Sequence, residues 1–185
     1  MPFLYMLLLG CRPKGRNTEQ HDVLFAIGEN TKDLIPSIVE FWPEAKGVIH
    51  VDAFRKVTNV NGFSITVVPK KAELSTQKHR LFFINLGGYK PNEFDEFHYK
   101  MVVVAENKAY AIQQAKASAF YKHVGFKGAP SHIDDKFGID VDDCFEIKDI
   151  LPTVFKQQYS INIEPALTPQ VEDEMHLGYF KLDKL

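Results

Sequence analysis

The chain has little cysteine and little tryptophan: two and one, respectively, in 185 residues. Two cysteines cannot build a disulfide framework or a zinc-ribbon ligand set, so the fold must rest on a packed core, and the usage fits a reducing, cytoplasmic setting. Excess charge of either sign is missing too, because 22 basic residues face 24 acidic ones for a formal charge of -2. That excludes the overall electrostatic footprint of a nucleic-acid binder. No apolar run approaches the roughly 18 residues that span a bilayer, so no membrane partner is expected. Phosphate loops, dinucleotide fingerprints and serine or cysteine nucleophile motifs are absent, and no organic cofactor is indicated. What is there, at 45% hydrophobic and 25% charged residues, is the composition of an ordinary globular chain.

The amino terminus needs an early decision. Phe3-Leu-Tyr-Met-Leu-Leu-Leu-Gly-Cys11 has the outline of a lipoprotein signal, but no Lys or Arg precedes it. A segment of the same look recurs inside the chain as Arg80-Leu-Phe-Phe-Ile-Asn-Leu-Gly-Gly88. Residues 3 to 9 are therefore read as a buried strand and Cys11 as a structural thiol.

That recurrence extends to a duplication. At an offset of 77, Gly10 falls on Gly87, Glu19 on Glu96, His21 on His98 and Asn30 on Asn107. A second block at an offset of 82 sets His50 on His132, Asp52 on Asp134, Phe63 on Phe145 and Ile65 on Ile147. Repeats of this size are normally supersecondary units. Each copy reads as strand, strand, helix, strand, strand: apolar strands at Val23–Ile27 and Met101–Ala105, then helices with Asn30 or Asn107 as N-cap candidates. Pro36 moves the first helix start toward Asp33. Strands at 48–52 and 63–68 are joined by Asn59-Val-Asn-Gly62, a type I′ hairpin signal, and the acidic counterpart Asp140-Val-Asp-Asp143 is read as a solvated turn.

The expected fold is α+β. Two tandem ββαββ repeats, residues 1–75 and 76–152, pack as a pseudo-twofold body, with a β-grasp-like arrangement as one form for each unit. Residues 153–185 form a tail with strands near 159–163 and 176–182, packed on the second copy or bridging the two. An exposed edge strand in either unit would invite a homodimer.

Leu9-Gly10 with Glu19-Gln-His-Asp22, and Leu86-Gly-Gly88 with Glu96-Phe-His98, are similar to the signatures of the bacterial domain of unknown function 1543 family. The resemblance covers most of residues 3–69 and 80–152. Cys11 stands where the second glycine of the pair would be, and Tyr99 where Asp22 sits in the first copy. The family is uncharacterised, so the resemblance implies no activity.

The chemistry-bearing constellation is the repeated histidine and carboxylate set. Residues two apart on a strand share a face about 6.6 Å apart. Glu19 with His21 and His50 with Asp52 would then supply two imidazoles and two carboxylates, and Glu96, His98, His132 and Asp134 a second set, each suited to a divalent transition metal. Two functions follow: a ligand- or partner-binding module working through the loops before the second strands, or a metal-dependent enzyme of hydrolase or oxygenase type. The loop Gly10-Cys-Arg-Pro-Lys-Gly-Arg16 is basic and matches no known phosphate motif.

Overall fold

A computed structural model describes residues 1–70, 77–89, 92–124, 140–168 and 171–185. The architecture is α+β, with antiparallel sheets and mixed helices. The chain divides into two compact units, Met1–Thr76 with Ile150–Leu185, and Gln77–Asp149.

In chain order the strands and α-helices are β1 (Phe3–Cys11), β2 (Gln20–Gly28), α1 (Ile35–Phe41), β3 (His50–Lys56), β4 (Asn59–Val60) and β5 (Phe63–Pro69). There follow β6 (Arg80–Tyr89), β7 (Glu96–Ala105), α2 (Lys108–Val124), β8 (Asp140–Glu146) and α3 (Ile147–Ile150), then α4 (Thr153–Gln158), β9 (Tyr159–Pro165) and β10 (His176–Lys181). The first unit carries a sheet ordered β10-β3-β1-β2 and a smaller one ordered β4-β5-β9. The second unit carries β7-β6-β8.

Strand β1 shows why the sheet forms and which face it leaves open. Tyr5, Leu7, Leu9 and Cys11 are at most 2% exposed and belong to one face of the pleat. Met6 and Leu8, on the other face, are only half-buried, and Gly10 belongs with them. Opposite the core side, therefore, the end of β1 presents a residue with no side chain.

Asparagine caps act as the sequence suggests. Asn30 Oδ1 accepts from Lys32 N, while Asp33 Oδ2 accepts from Glu29 N and Asn30 N, closing a 3-10 turn at Thr31–Leu34 that leads into α1. Asn107 Oδ1 accepts from Tyr110 N at the start of α2. In the second unit α2 lays Ala111 and Ala115, both fully buried, against Phe82, Ile84, Leu86 and Val103. Small residues one turn apart let the helix approach the sheet closely. The Asn59–Gly62 hairpin is present, with φ of 51° at Asn61 and 79° at Gly62.

Three expectations are corrected. The tail adds to the first unit, with β9 pairing β5 and β10 pairing β3. Those pairings cover ladder edges that β3 and β5 would otherwise expose. Asp140–Asp143 is not a turn: it opens β8, hydrogen-bonded to β6, where ladder formation overrides the poor strand propensity of aspartate. Phe145 belongs to β8 and Ile147 to α3, so neither occupies the place of Phe63 or Ile65 on β5. Among the described residues the second unit has three strands, so its fourth is not seen. His132 and Asp134, together with most of the linker expected at 70–79, lie outside the described residues.

Between its two strands the tail is anchored by a carboxylate as well. Asp173 Oδ2 accepts from Thr58 N at 2.8 Å and Asn59 N at 3.0 Å, and Asp173 Oδ1 accepts from the Thr58 hydroxyl. Asp173→Ala strands these donors and should lower stability by about 2 kcal/mol, which for a chain of this size lowers Tm by about 6 °C. A thermal melt within 1 °C or so of the parent would show that the carboxylate holds nothing.

Candidate metal centre

Strands β2 and β3 do not touch, because β1 runs between them. Their side chains meet because of what stands in the middle. Gly10 pairs with His21 on one side and with His50 on the other. A row across the sheet thus reads imidazole, bare backbone, imidazole, and the two rings lean over the glycine. A Cβ placed on Gly10 would lie within 3.0 Å of His50 Nε2, His50 Cε1 and Asp52 Oδ2. The hollow is already filled by the site.

A β-bulge delivers the aspartate. Leu8 faces Ala53 but Leu9 faces Val51, so Asp52 is the extra residue on β3. Bulges re-aim side chains and recur beside functional sites. On the far edge of β3, Leu177 faces Ala53 and Phe180 faces Val51, which puts Gly178 and Tyr179 opposite Asp52. Gly178 has φ of 152°, a conformation open to glycine. The Tyr179 ring then stacks on His50 with centroids 4.1 Å apart and planes at 30°. This cover leaves His50 only 5% exposed, although its strand face is the open one.

All four residues expected in the first set come together. His50 Nε2 stands 3.0 Å from Glu19 Oε1 and 3.1 Å from Asp52 Oδ1, and His21 Nε2 stands 3.1 Å from Asp52 Oδ2. Yet His50 Nε2 and Asp52 Oδ2 are both buried without a hydrogen-bond partner, because these close approaches lack hydrogen-bond alignment. Buried polar atoms are rarely left so. The three close contacts run in series, Glu19 to His50 to Asp52 to His21. Two imidazoles and two carboxylates are donor types suited to a divalent transition metal.

The second unit repeats the plan with different residues. Gly87 pairs with His98 and with Asp140, and Asp142 is the bulged residue, since Asn85 faces Asp143 and Leu86 faces Val141. A Cβ on Gly87 would meet the Asp142 carboxylate within 3.0 Å. His98 Nε2 lies 3.2 Å from Asp142 Oδ2 and 3.9 Å from Glu96 Oε2, and one donor atom each from Glu96, His98 and Asp142 falls within 4.8 Å of the others. All three are exposed. The expected partners Glu96 and His98 are thus joined by Asp142, a residue taken in the sequence for a solvated turn.

Three further residues escaped the sequence reading: Gly10 and Gly87, used only to anchor the alignment, and Tyr179. A signal for Asp142 was available. An offset of 90 sets Val51 on Val141 and Asp52 on Asp142, but the offset of 82, which matches His50 to His132, and the acidic composition of 140–143 both pointed elsewhere.

The thiols take no part. Burial, and then the nearby Glu19 carboxylate, push the Cys11 thiol above its ordinary range, so it stays protonated at neutral pH. Burial raises Cys144 as well, against an opposing effect of Lys108.

Residues 16–67 match the family described as Domain of Unknown Function (DUF1543). The chain is similar to a solved structure, the protein Il1583 from Idiomarina loihiensis, at 22% identity and a TM-score of 0.65, with 98% of each chain covered. That likeness is one of fold. No curated protein matches the chain. No helix among the described residues is long and apolar enough to cross a membrane.

Proposed function

We propose that this chain binds a divalent transition metal in its first unit through Glu19, His21, His50 and Asp52. The observation that carries the reading is the pair of buried atoms, His50 Nε2 and Asp52 Oδ2, that are close to complementary groups but bonded to none. Imidazole nitrogens with carboxylate oxygens suit zinc, iron or manganese. A metal held there would supply Lewis acidity and an activated water for hydrolysis, or oxygen chemistry with iron.

The chain's own residues set the rest. Gly10 leaves the hollow, the bulge turns Asp52 into it, and Tyr179 shields the His50 ring from water while His21 remains at an open rim, its side chain 43% exposed. The matched registers around Gly10 and Gly87 support descent from a duplicated unit. Glu96, His98 and Asp142 form a second, weaker site: one imidazole replaces two, because Asp140 stands at the register position of His50.

Elemental analysis of untagged protein purified without chelator tests the reading. About one transition-metal ion per chain, or binding of added zinc, manganese or cobalt with a rise in Tm, is expected. Protein that holds no metal and whose melting is indifferent to all three ions would leave these histidines as structural groups and the chain as a metal-independent binding module.

A further inference from the structure

The loop that joins β1 to β2 is basic and leaves the sheet at the metal site. It carries Arg12, Lys14 and Arg16, all exposed, and none of the three meets a carboxylate among the described residues. The ladder ends at the pair Cys11 and Gln20, so Arg12 and Glu19 flank its last rung from the two strands. Arg12 is the first residue past the end of β1 and two residues beyond Gly10 in the chain. The loop folds back on itself: Arg16 N donates to Pro13 O at 3.2 Å, and Gly15 takes φ of 87°.

The charge balance identifies what such a mouth receives. A divalent cation would offset the charges of Glu19 and Asp52, leaving the three exposed cations of the adjoining loop uncompensated. A doubly charged oxyanion satisfies both, with one oxygen toward the metal and the others toward the planar forks of arginine, which match phosphate in a bidentate manner. The exposed Tyr179 ring, lying over His50, offers the remainder of a ligand a flat apolar surface. The corresponding loop of the second unit differs in charge, carrying Glu93 and Asp95 alongside a single lysine.

We propose that the first site takes a phosphate-bearing small molecule, its phosphate held between the bound metal and the Arg12, Lys14 and Arg16 loop. This rests on the metal reading above. The test uses the whole chain loaded with Co²⁺, whose visible spectrum reports its ligands, titrated with inorganic phosphate in about 150 mM salt to suppress diffuse charge effects. Phosphate should change the spectrum of the parent saturably. Arg12→Ala/Lys14→Ala/Arg16→Ala should bind as much Co²⁺ but weaken phosphate at least tenfold, whereas Lys32→Ala/Lys70→Ala, which removes cations elsewhere in the same unit, should leave it unchanged. Co²⁺ uptake with no response to phosphate, or equal phosphate affinity in parent and triple variant, overturns this inference and leaves the metal site standing. Failure to take up Co²⁺, zinc or manganese overturns both.

Discussion

Gly10→Ala should abolish metal binding in the first unit while leaving the protein folded. The added methyl would occupy the space now held by His50 Nε2 and the Asp52 carboxylate. Both are side-chain groups, so they can move aside without breaking the sheet, but moved aside they no longer converge. At least about a hundredfold loss of affinity is expected, equivalent to roughly 2.8 kcal/mol, because a displaced ligand set loses more than a single outer contact does. Titration calorimetry with zinc or manganese reads the affinity, and circular dichroism with a metal-free melt reads the fold. A variant that binds metal like the parent would mean the four side chains meet for reasons unrelated to an ion. A variant that fails to fold is distinguished by its spectrum, and Glu19→Gln with His21→Ala then tests the same convergence from the rim.

His50→Ala and His98→Ala should differ sharply. His50 is buried, contacts two carboxylates and carries the Tyr179 stack. Its removal leaves one imidazole and should weaken the tighter binding event by about two orders of magnitude, in the range seen when ligand shells are disrupted. His98 is the single imidazole of an exposed trio, so His98→Ala should leave the tighter event intact and remove only the weaker one. The comparison needs only stoichiometry and affinity from the same titration. Equal effects of the two substitutions, or an effect of His98→Ala on the tighter event alone, would refute the assignment of the stronger site to the first unit.

Much of this was legible in the chain. The apolar run at 3–9, the hairpin at Asn59–Gly62 and the caps at Asn30 and Asn107 follow from local rules of burial, positive φ and unsatisfied helix-end donors, and local rules need no knowledge of neighbours. Glu19, His21, His50 and Asp52 were singled out by their two-residue spacing, although Glu19 falls just before β2 and a bulge turns Asp52. Asp142 was not, since its four-residue acidic context favours a turn and only pairing with β6 makes it a strand. The destination of the tail was equally hidden: β9 and β10 read as strands, but nothing in an alternating pattern says which edge it will join.

The sequence alone therefore determined the α+β class and the histidine and carboxylate types available at the end of β1. Tertiary structure decided that the donors meet. Sequence encodes periodicity along a strand, but contact across strands depends on register and on bulges, which arise only when separate segments pair. Gly10 became a cradle because β1 fell between β2 and β3, Asp52 turned into it because of one extra residue on β3, and Tyr179 came to cover His50 because a strand more than 120 positions away closed the sheet.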